Sequence, residues 1–334
     1  MNNIRHRKNY IIKDVIRAGL FVLIIILFFS CNAPQNNPLD PENPDNNLGT
    51  IQGVVQTFSL PFTGIPDVSI YWPKANKLVK SDANGKFVIN NVPTENGSLI
   101  IQKDGYRPDT VIINWGSSKT VSPQVNLNSL PELDSIAIFT TVINQFNPDQ
   151  TFELNIQAKV SDRDNDIDSI KVFNNQLNLD KKLDFNITQN FFQSALSTSD
   201  LNVNDLEEVI GLDFNINVYD RFQNVYNIGS GKVSRVIKTP VLIESPSNAD
   251  SVNSNPTLTW LRFKPGYPFT YTVEVYTNDF ANSQIVARQQ DISSDSTSYF
   301  VRTVLQPRDY YWVLWVVDQF QNRARSKPAT FIVK

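Results

Sequence analysis

Two stretches of the chain, INVYDRFQNV at residues 216–225 and LWVVDQFQNR at residues 314–323, repeat one another. In each, an apolar-rich run, alternating with polar residues in the first copy, leads to an Asp, and the chain then passes through Phe-Gln-Asn. Alternation with period two is the mark of a half-buried β-strand. An Asp at its end takes up nearby backbone amides and turns the chain. Asp220 and Asp318 are therefore expected to end the penultimate strands of two sandwiches. The same punctuation fills the chain from Gly49 onward, where short apolar alternations are separated by Asn, Asp, Gly, Pro and Ser. The nearest candidate for a helix, residues 205–210, is too short to stand alone and reads as one turn in a crossover loop. The expected fold is all-β: three tandem antiparallel β-sandwich domains after a signal peptide and a disordered tether.

The three sandwiches are expected at residues 49–129, 130–239 and 240–334. In the first, GIPDVSIYW places Val68, Ile70 and Trp72 on one face, and Asp82-Ala83-Asn84-Gly85 fits a tight hairpin because Asn-Gly tolerates positive φ. Gly53-Val54-Val55, Gly64-Ile65-Pro66-Asp67-Val68, Ser81-Asp82-Ala83-Asn84-Gly85-Lys86-Phe87 and Lys103-Asp104-Gly105-Tyr106 resemble the carboxypeptidase regulatory-like domain, a transthyretin-like sandwich. The resemblance implies an accessory module without peptidase activity. In the last, Ser245-Pro246-Ser247-Asn248, Pro256-Thr257-Leu258-Thr259-Trp260, Tyr271-Thr272-Val273-Glu274-Val275-Tyr276 and the run from Leu305 through Trp312 resemble a bacterial fibronectin type III module, with Trp260 as its core tryptophan. The middle segment is immunoglobulin-like in outline.

Ahead of these modules, residues 1–30 read as a removable leader. Arg5, Arg7, Lys8, Lys13 and Arg17 precede the apolar run AGLFVLIIILFF at 18–29, which is shorter than the roughly 20 residues a membrane span needs. Phe28-Phe29-Ser30-Cys31 resembles the lipobox of bacterial lipoproteins, which implies lipidation of Cys31. Residues 31–48 follow as the lipidated Cys and a Pro/Asn-rich tether, extended by its prolines. Asn32 stands where an Asp implies inner-membrane retention in enterobacterial lipoproteins. The expected location is thus the bacterial cell envelope, at the outer membrane, with the N-terminal lipid in the bilayer.

Composition narrows the chemistry. The chain of 334 residues holds one Cys, one Met and one His, all at or before Cys31. Beyond it, a Ser-His-Asp triad, a Cys-His dyad, a His-ligated zinc site and a thiol redox centre lack their residues. Without the leader the net charge is −7, which disfavours nucleic acid as a partner. No enzymatic activity and no organic cofactor are expected.

Two clusters remain as candidate sites. Asp162, Asp164, Asp166 and Asp168 place carboxylates at alternate positions, which suits calcium; Ile167 and Phe173 stand where an EF-hand loop requires Gly and Glu. The alternative is a solvated turn between AKVS and DSIKVF. If Tyr310, Trp312, Leu314 and Val316 face the core, period two sets Tyr311, Val313, Trp315 and Val317 on the other face, where Tyr276 joins them. Tyr276, Tyr311 and Trp315 then form an exposed aromatic platform for a sugar ring or a partner surface, unless another segment packs over it. Asp109-Thr110-Val111, Asp134-Ser135-Ile136, Asp168-Ser169-Ile170 and Asp250-Ser251-Val252 resemble an O-glycosylation sequon of exported bacterial proteins. The expected function is a non-catalytic, lipid-anchored binding, adhesion or scaffold module with a protein or glycan partner at the cell surface. Two other readings are a glycan-binding accessory lipoprotein of a polysaccharide uptake or hydrolysis system, and a carboxylate-dependent glycosidase.

Overall fold

The computed structural model describes residues 47–279 and 282–334; the leader, Cys31 and most of the tether lie outside them. Two compact units divide between Asn128 and Ser129. Among the described residues the only helical elements are 3-10 turns at Pro73–Ala75 and Leu206–Val209.

The first unit is built from β1 (Leu48–Thr57), β2 (Ser69–Trp72), β3 (Lys77–Lys80), β4 (Lys86–Pro93), β5 (Gly97–Gln102), β6 (Asp109–Ile113), β7 (Thr120–Val121) and β8 (Gln124–Leu127). One sheet runs β4-β1-β7 with β8 also on β1, and the other β3-β2-β5-β6. Alternation selects what meets between them. Val68, Ile70 and Trp72 are buried on one face as expected, together with Leu99 and Ile101 of the neighbouring strand β5 and in one core with Phe87 and Ile89 of the other sheet, while Val88 between two core positions is 48% exposed.

The Asp82–Gly85 turn forms but closes no hairpin, because β3 and β4 belong to different sheets. The carboxylate of Asp82 accepts from the amides of Asn84 and Lys86, each at 2.8 Å, and this turns the chain without pairing the strands that flank it. Gly85 has φ +76°, and a β-carbon there would meet the Val55 carbonyl oxygen at 2.1 Å. Only glycine combines that backbone with that approach.

The second unit contains β9 (Glu132–Asn144), β10 (Gln150–Ser161), β11 (Ile167–Asn174), β12 (Leu179–Lys182), β13 (Asp184–Asn186), β14 (Phe191–Ser197), β15 (Asp213–Asp220), β16 (Val225–Lys232), β17 (Ile243–Ser245), β18 (Asp250–Val252), β19 (Thr257–Trp260), β20 (Phe269–Thr277), β21 (Ile285–Ser293), β22 (Ser298–Phe300), β23 (Asp309–Asp318), β24 (Arg323–Arg325) and β25 (Ala329–Val333). Between β14 and β15 the Leu206–Val209 turn carries a capping box: Asp205 accepts from the Glu207 amide at 2.8 Å, and Glu208 from the Asp205 amide at 2.9 Å.

A ten-stranded sheet dominates this unit, in the order β13-β14-β10-β9-β24-β23-β20-β21, with β25 beside β23 and β18 beside β25. The four-stranded sheet β12-β11-β15-β16 encloses one core with its β10 and β14 portion, around Leu154, Ile156, Val172, Leu196 and Phe214. The three-stranded sheet β17-β19-β22 encloses a second core with the β20–β23 portion, around Trp260, Tyr271, Trp312, Leu314 and Phe331. Two tandem sandwiches thus share one sheet.

Their junction is the parallel pairing of β24 with β9, Arg323 to Thr141 and Arg325 to Ile143. Asn322, fully buried, clamps it. Its side-chain oxygen accepts from the Thr140 amide at 2.9 Å, and its nitrogen donates to Ser234 and to Asp318, each at 3.1 Å. Asn144 adds a bond to the Arg325 carbonyl at 2.7 Å. The repeated turns take the expected form: Asp220 accepts from the amides of Phe222 and Asn224 at 2.9 and 2.8 Å, and Asp318 from those of Phe320 and Asn322 at 2.8 and 2.9 Å.

Candidate functional site

Register assembles the candidate face from six adjacent strands of the long sheet. Tyr276 lies opposite Tyr311, Thr272 opposite Trp315, Trp315 opposite Arg325, Arg323 beside Thr141, Thr141 opposite Glu153, and Gln157 opposite Gln193. Residues paired in this way point to the same side of a sheet. Tyr310, Trp312, Leu314 and Val316 point to the other side and are buried in the core, as the period-two reading expects.

At one end of the face the Tyr276 and Tyr311 rings stack in parallel with centroids 4.9 Å apart. The Tyr276 hydroxyl donates to Glu274 Oε2 at 2.7 Å and the Trp315 indole to the same oxygen at 2.8 Å. Arg288 pairs with Glu274 Oε1 at 3.2 Å. Burial, and next the bond to Glu274, push the Tyr276 phenol well above its usual pKa. Beside it Arg323 stacks on Trp315 and Phe139, at 5.4 and 5.3 Å, while its Nε donates to Thr141 Oγ1 at 3.0 Å. At the other end a polar cavity of about 420 Å³ is lined by Asn155, Gln157, Lys181, Asp184, Gln193 and Ser194 among others.

The expected bare aromatic strip is thus corrected. Tyr276, Tyr311 and Trp315 do share a face, but each is half-buried, and Val313 among them is fully buried. The cause is the polar side chains set between the rings, Glu274, Arg323 and Arg325. The signal for them lies in the sequence: Arg323-Ala324-Arg325 alternates like a strand immediately after the repeat, and Glu274 falls in phase with Tyr276.

The acidic segment is arranged differently from four ligands on one strand. Residues 162–166 form a loop with Asn165 at φ +52°, and β11 begins only at Ile167, so Asp168 sits exposed on the strand while Asp164 and Asp166 are buried. The Ser129 hydroxyl and amide donate to Asp162 and Asp164, each at 2.6 Å, and the Asp166 amide donates to Asp162 at 3.0 Å. Among the described residues no group of three or more His, Cys, Asp or Glu side chains is placed to hold a metal ion. Asp220 also acts on this cluster. Its burial works against ionisation, but bonds from Asn224 and Phe222 hold its carboxyl below the usual range. For Asp166, burial and then the nearby Asp162 raise the pKa to about 7; burial also raises Asp164.

The native state keeps a proton on Asp166 that the unfolded chain releases near its ordinary pKa of about 3.9, so stability falls as pH rises from about 4 to about 7. Thermal melts are expected to place the second unit on the order of 2 kcal/mol less stable at about pH 8 than at about pH 5, and Asp166→Asn to flatten that slope. An unchanged slope in the variant contradicts the assignment.

No family model and no curated protein matches the chain. Among solved structures it is similar to BcpA, the major pilin subunit of Bacillus cereus, at 10% identity and TM-score 0.28, over 85% of this chain and 94% of that one. It is also similar to the FN1-FN3 domains of chicken CNTN1, at 9% identity and TM-score 0.31, over 82% and 93% of the two chains. The fibronectin(III)-like modules of Clostridium thermocellum CbhA give 11% identity and TM-score 0.29, over 61% and 94%.

Proposed function

We propose that the chain is a non-catalytic module of the bacterial cell envelope, held to the outer membrane by acyl chains on Cys31, that binds a glycan along the outer face of its long sheet. The observation that carries this reading is the order of side chains on that face. Carboxamides and a polar cavity occupy the β10–β14 end, and three aromatic rings the β20–β23 end. Six strands at about 4.8 Å separate these ends by about 24 Å, a length suited to several units of a chain-like ligand. Carboxamides match sugar hydroxyls, and the half-exposed rings offer flat apolar surface to the carbon face of a sugar. The leader and the lipobox-like segment support the location, and the absence of Cys and His beyond residue 31 supports a binding role over a catalytic one.

A polysaccharide panel with the purified mature chain tests the proposal. Trp315→Ala is expected to weaken glycan binding about tenfold, the range for losing one well-placed aromatic contact, while Trp260→Phe, altered in the core, retains it. A reducing-sugar assay on the same panel is expected to detect no release. Equal binding by the two variants, or capture of envelope proteins with no glycan bound, overturns the reading.

A further inference from the structure

We propose that the loop at residues 58–62 of the first unit is a lipid-contact site, which seats the unit on an uncharged bilayer surface through Phe58, Leu60 and Phe62. The inference goes beyond the glycan reading and does not involve the long sheet; from that proposal it takes only the anchorage at Cys31.

The starting observation is a concentration of exposed apolar surface. Phe58, Leu60 and Phe62 are 36%, 78% and 49% exposed, three of five consecutive residues, with Ser59 and Pro61 between them. The other strongly exposed apolar side chains of the unit, Leu78, Val88 and Ile112, stand on separate strands, and Val88 lies between the exposed Lys86 and Asn90 on its face of β4. Single residues of that kind are ordinary on a protein surface, whereas a contiguous patch marks a site of contact.

The loop is also held in shape. The Thr57 amide donates to the Thr63 carbonyl and the Thr63 amide to Thr57 Oγ1, each at 2.9 Å, and below them the Ile65 amide donates to the Val55 carbonyl at 2.9 Å. These bonds close the base of the loop, so its apolar side chains are presented with little ordering cost on contact.

What covers the loop follows from charge and from reach. No ionisable side chain lies between Asp45 and Asp67, in a chain of which 19% is charged. A protein partner ordinarily meets a patch with a polar, charged rim. A segment whose polar side chains are only hydroxyls and carboxamides enters a bilayer interface with no charge to desolvate. Residues 32–46 reach about 47 Å when extended at about 3.1 Å per residue, and β1, which leads from the tether to the loop, spans about 33 Å at about 3.3 Å per residue. A chain anchored at Cys31 can therefore lay the loop on the same bilayer, and the anchor makes that weak contact intramolecular.

Flotation of residues 32–334, which lack Cys31, with phosphatidylcholine vesicles tests the site apart from the anchor. The wild-type chain is expected to float with the vesicles, Leu60→Asp to lose at least about tenfold of that binding, and Val88→Asp to retain it. Adding phosphatidylglycerol is expected not to strengthen binding, since no basic side chain of the loop takes part. This chain holds no Cys, so Leu60→Cys and Ile112→Cys each accept one environment-sensitive fluorophore; the label at position 60 is expected to shift to the blue with vesicles and the label at 112 to stay unchanged. A wild-type chain that remains in solution, whether as a monomer or as a dimer that Leu60→Asp dissociates, overturns the inference. Binding that requires phosphatidylglycerol, equal loss in the two Asp variants or equal response of the two labels overturns it as well. None of these results bears on Cys31, whose acylation is read separately by mass spectrometry of the chain from native envelopes.

Discussion

Trp260→Ala is expected to destabilise the second unit by about 4 kcal/mol, in the middle of the range for deleting a buried aromatic ring, and to leave the melting of the first unit unchanged. The indole is 1% exposed. Its ring meets Tyr271 edge-on at 5.3 Å and Trp312 at 6.5 Å, so truncation opens a cavity between β19 and the long sheet that rigid neighbours cannot fill. Its Nε1 is buried with no hydrogen-bond partner. Trp260→Phe therefore removes volume but also an unsatisfied donor, and is expected to cost only about 1 kcal/mol. Differential scanning calorimetry separates the two units, since each has its own core. A Trp260→Ala protein that melts like wild type contradicts the placement of this residue in the core.

Asn322→Ala carries the second large effect, about 3 kcal/mol. The substitution strands the Thr140 amide inside the junction and strips a donor from Asp318, whose side chain is fully buried and pairs with Arg235 at 3.3 Å. Its counterpart in the repeat, Asn224, bonds back to Asp220 within its own turn at 2.7 Å, and Asn224→Ala is expected to cost about 1 kcal/mol. Denaturant midpoints of the two variants give the comparison. Equal losses mean that the Asn322 bond to β9 contributes nothing.

These two positions also mark what the sequence can and cannot disclose. Alternation along residues 310–317 is local, and it located Trp312 and Trp315 on opposite faces correctly. Turn chemistry at Asp220 and Asp318 is local as well. The pairing of β24 with β9 is not: Thr140 and Asn322 are 182 residues apart, and nothing in Phe-Gln-Asn distinguishes the copy that joins two sandwiches from the copy that does not. The Asp82–Gly85 segment fails for a related reason, since the same Asx bonds turn a chain within one sheet or from one sheet to another. Alternate spacing of Asp162 through Asp168 places side chains together only on an extended strand, and a left-handed Asn165 breaks that condition. The half-buried setting of Arg323 and Arg325 is not legible in the sequence, because charged side chains are ordinarily solvated and this setting arises only once β24 lies between β9 and β23.

A hydrogen–deuterium exchange footprint of residues 31–334 saturated with the tightest-binding glycan of the panel tests the shared face most directly. Protection is expected in peptides from both sandwiches at once, covering β9 and β10 on one side of the junction and β20, β23 and β24 on the other. Protection confined to the first unit, or to one sandwich of the second, contradicts it.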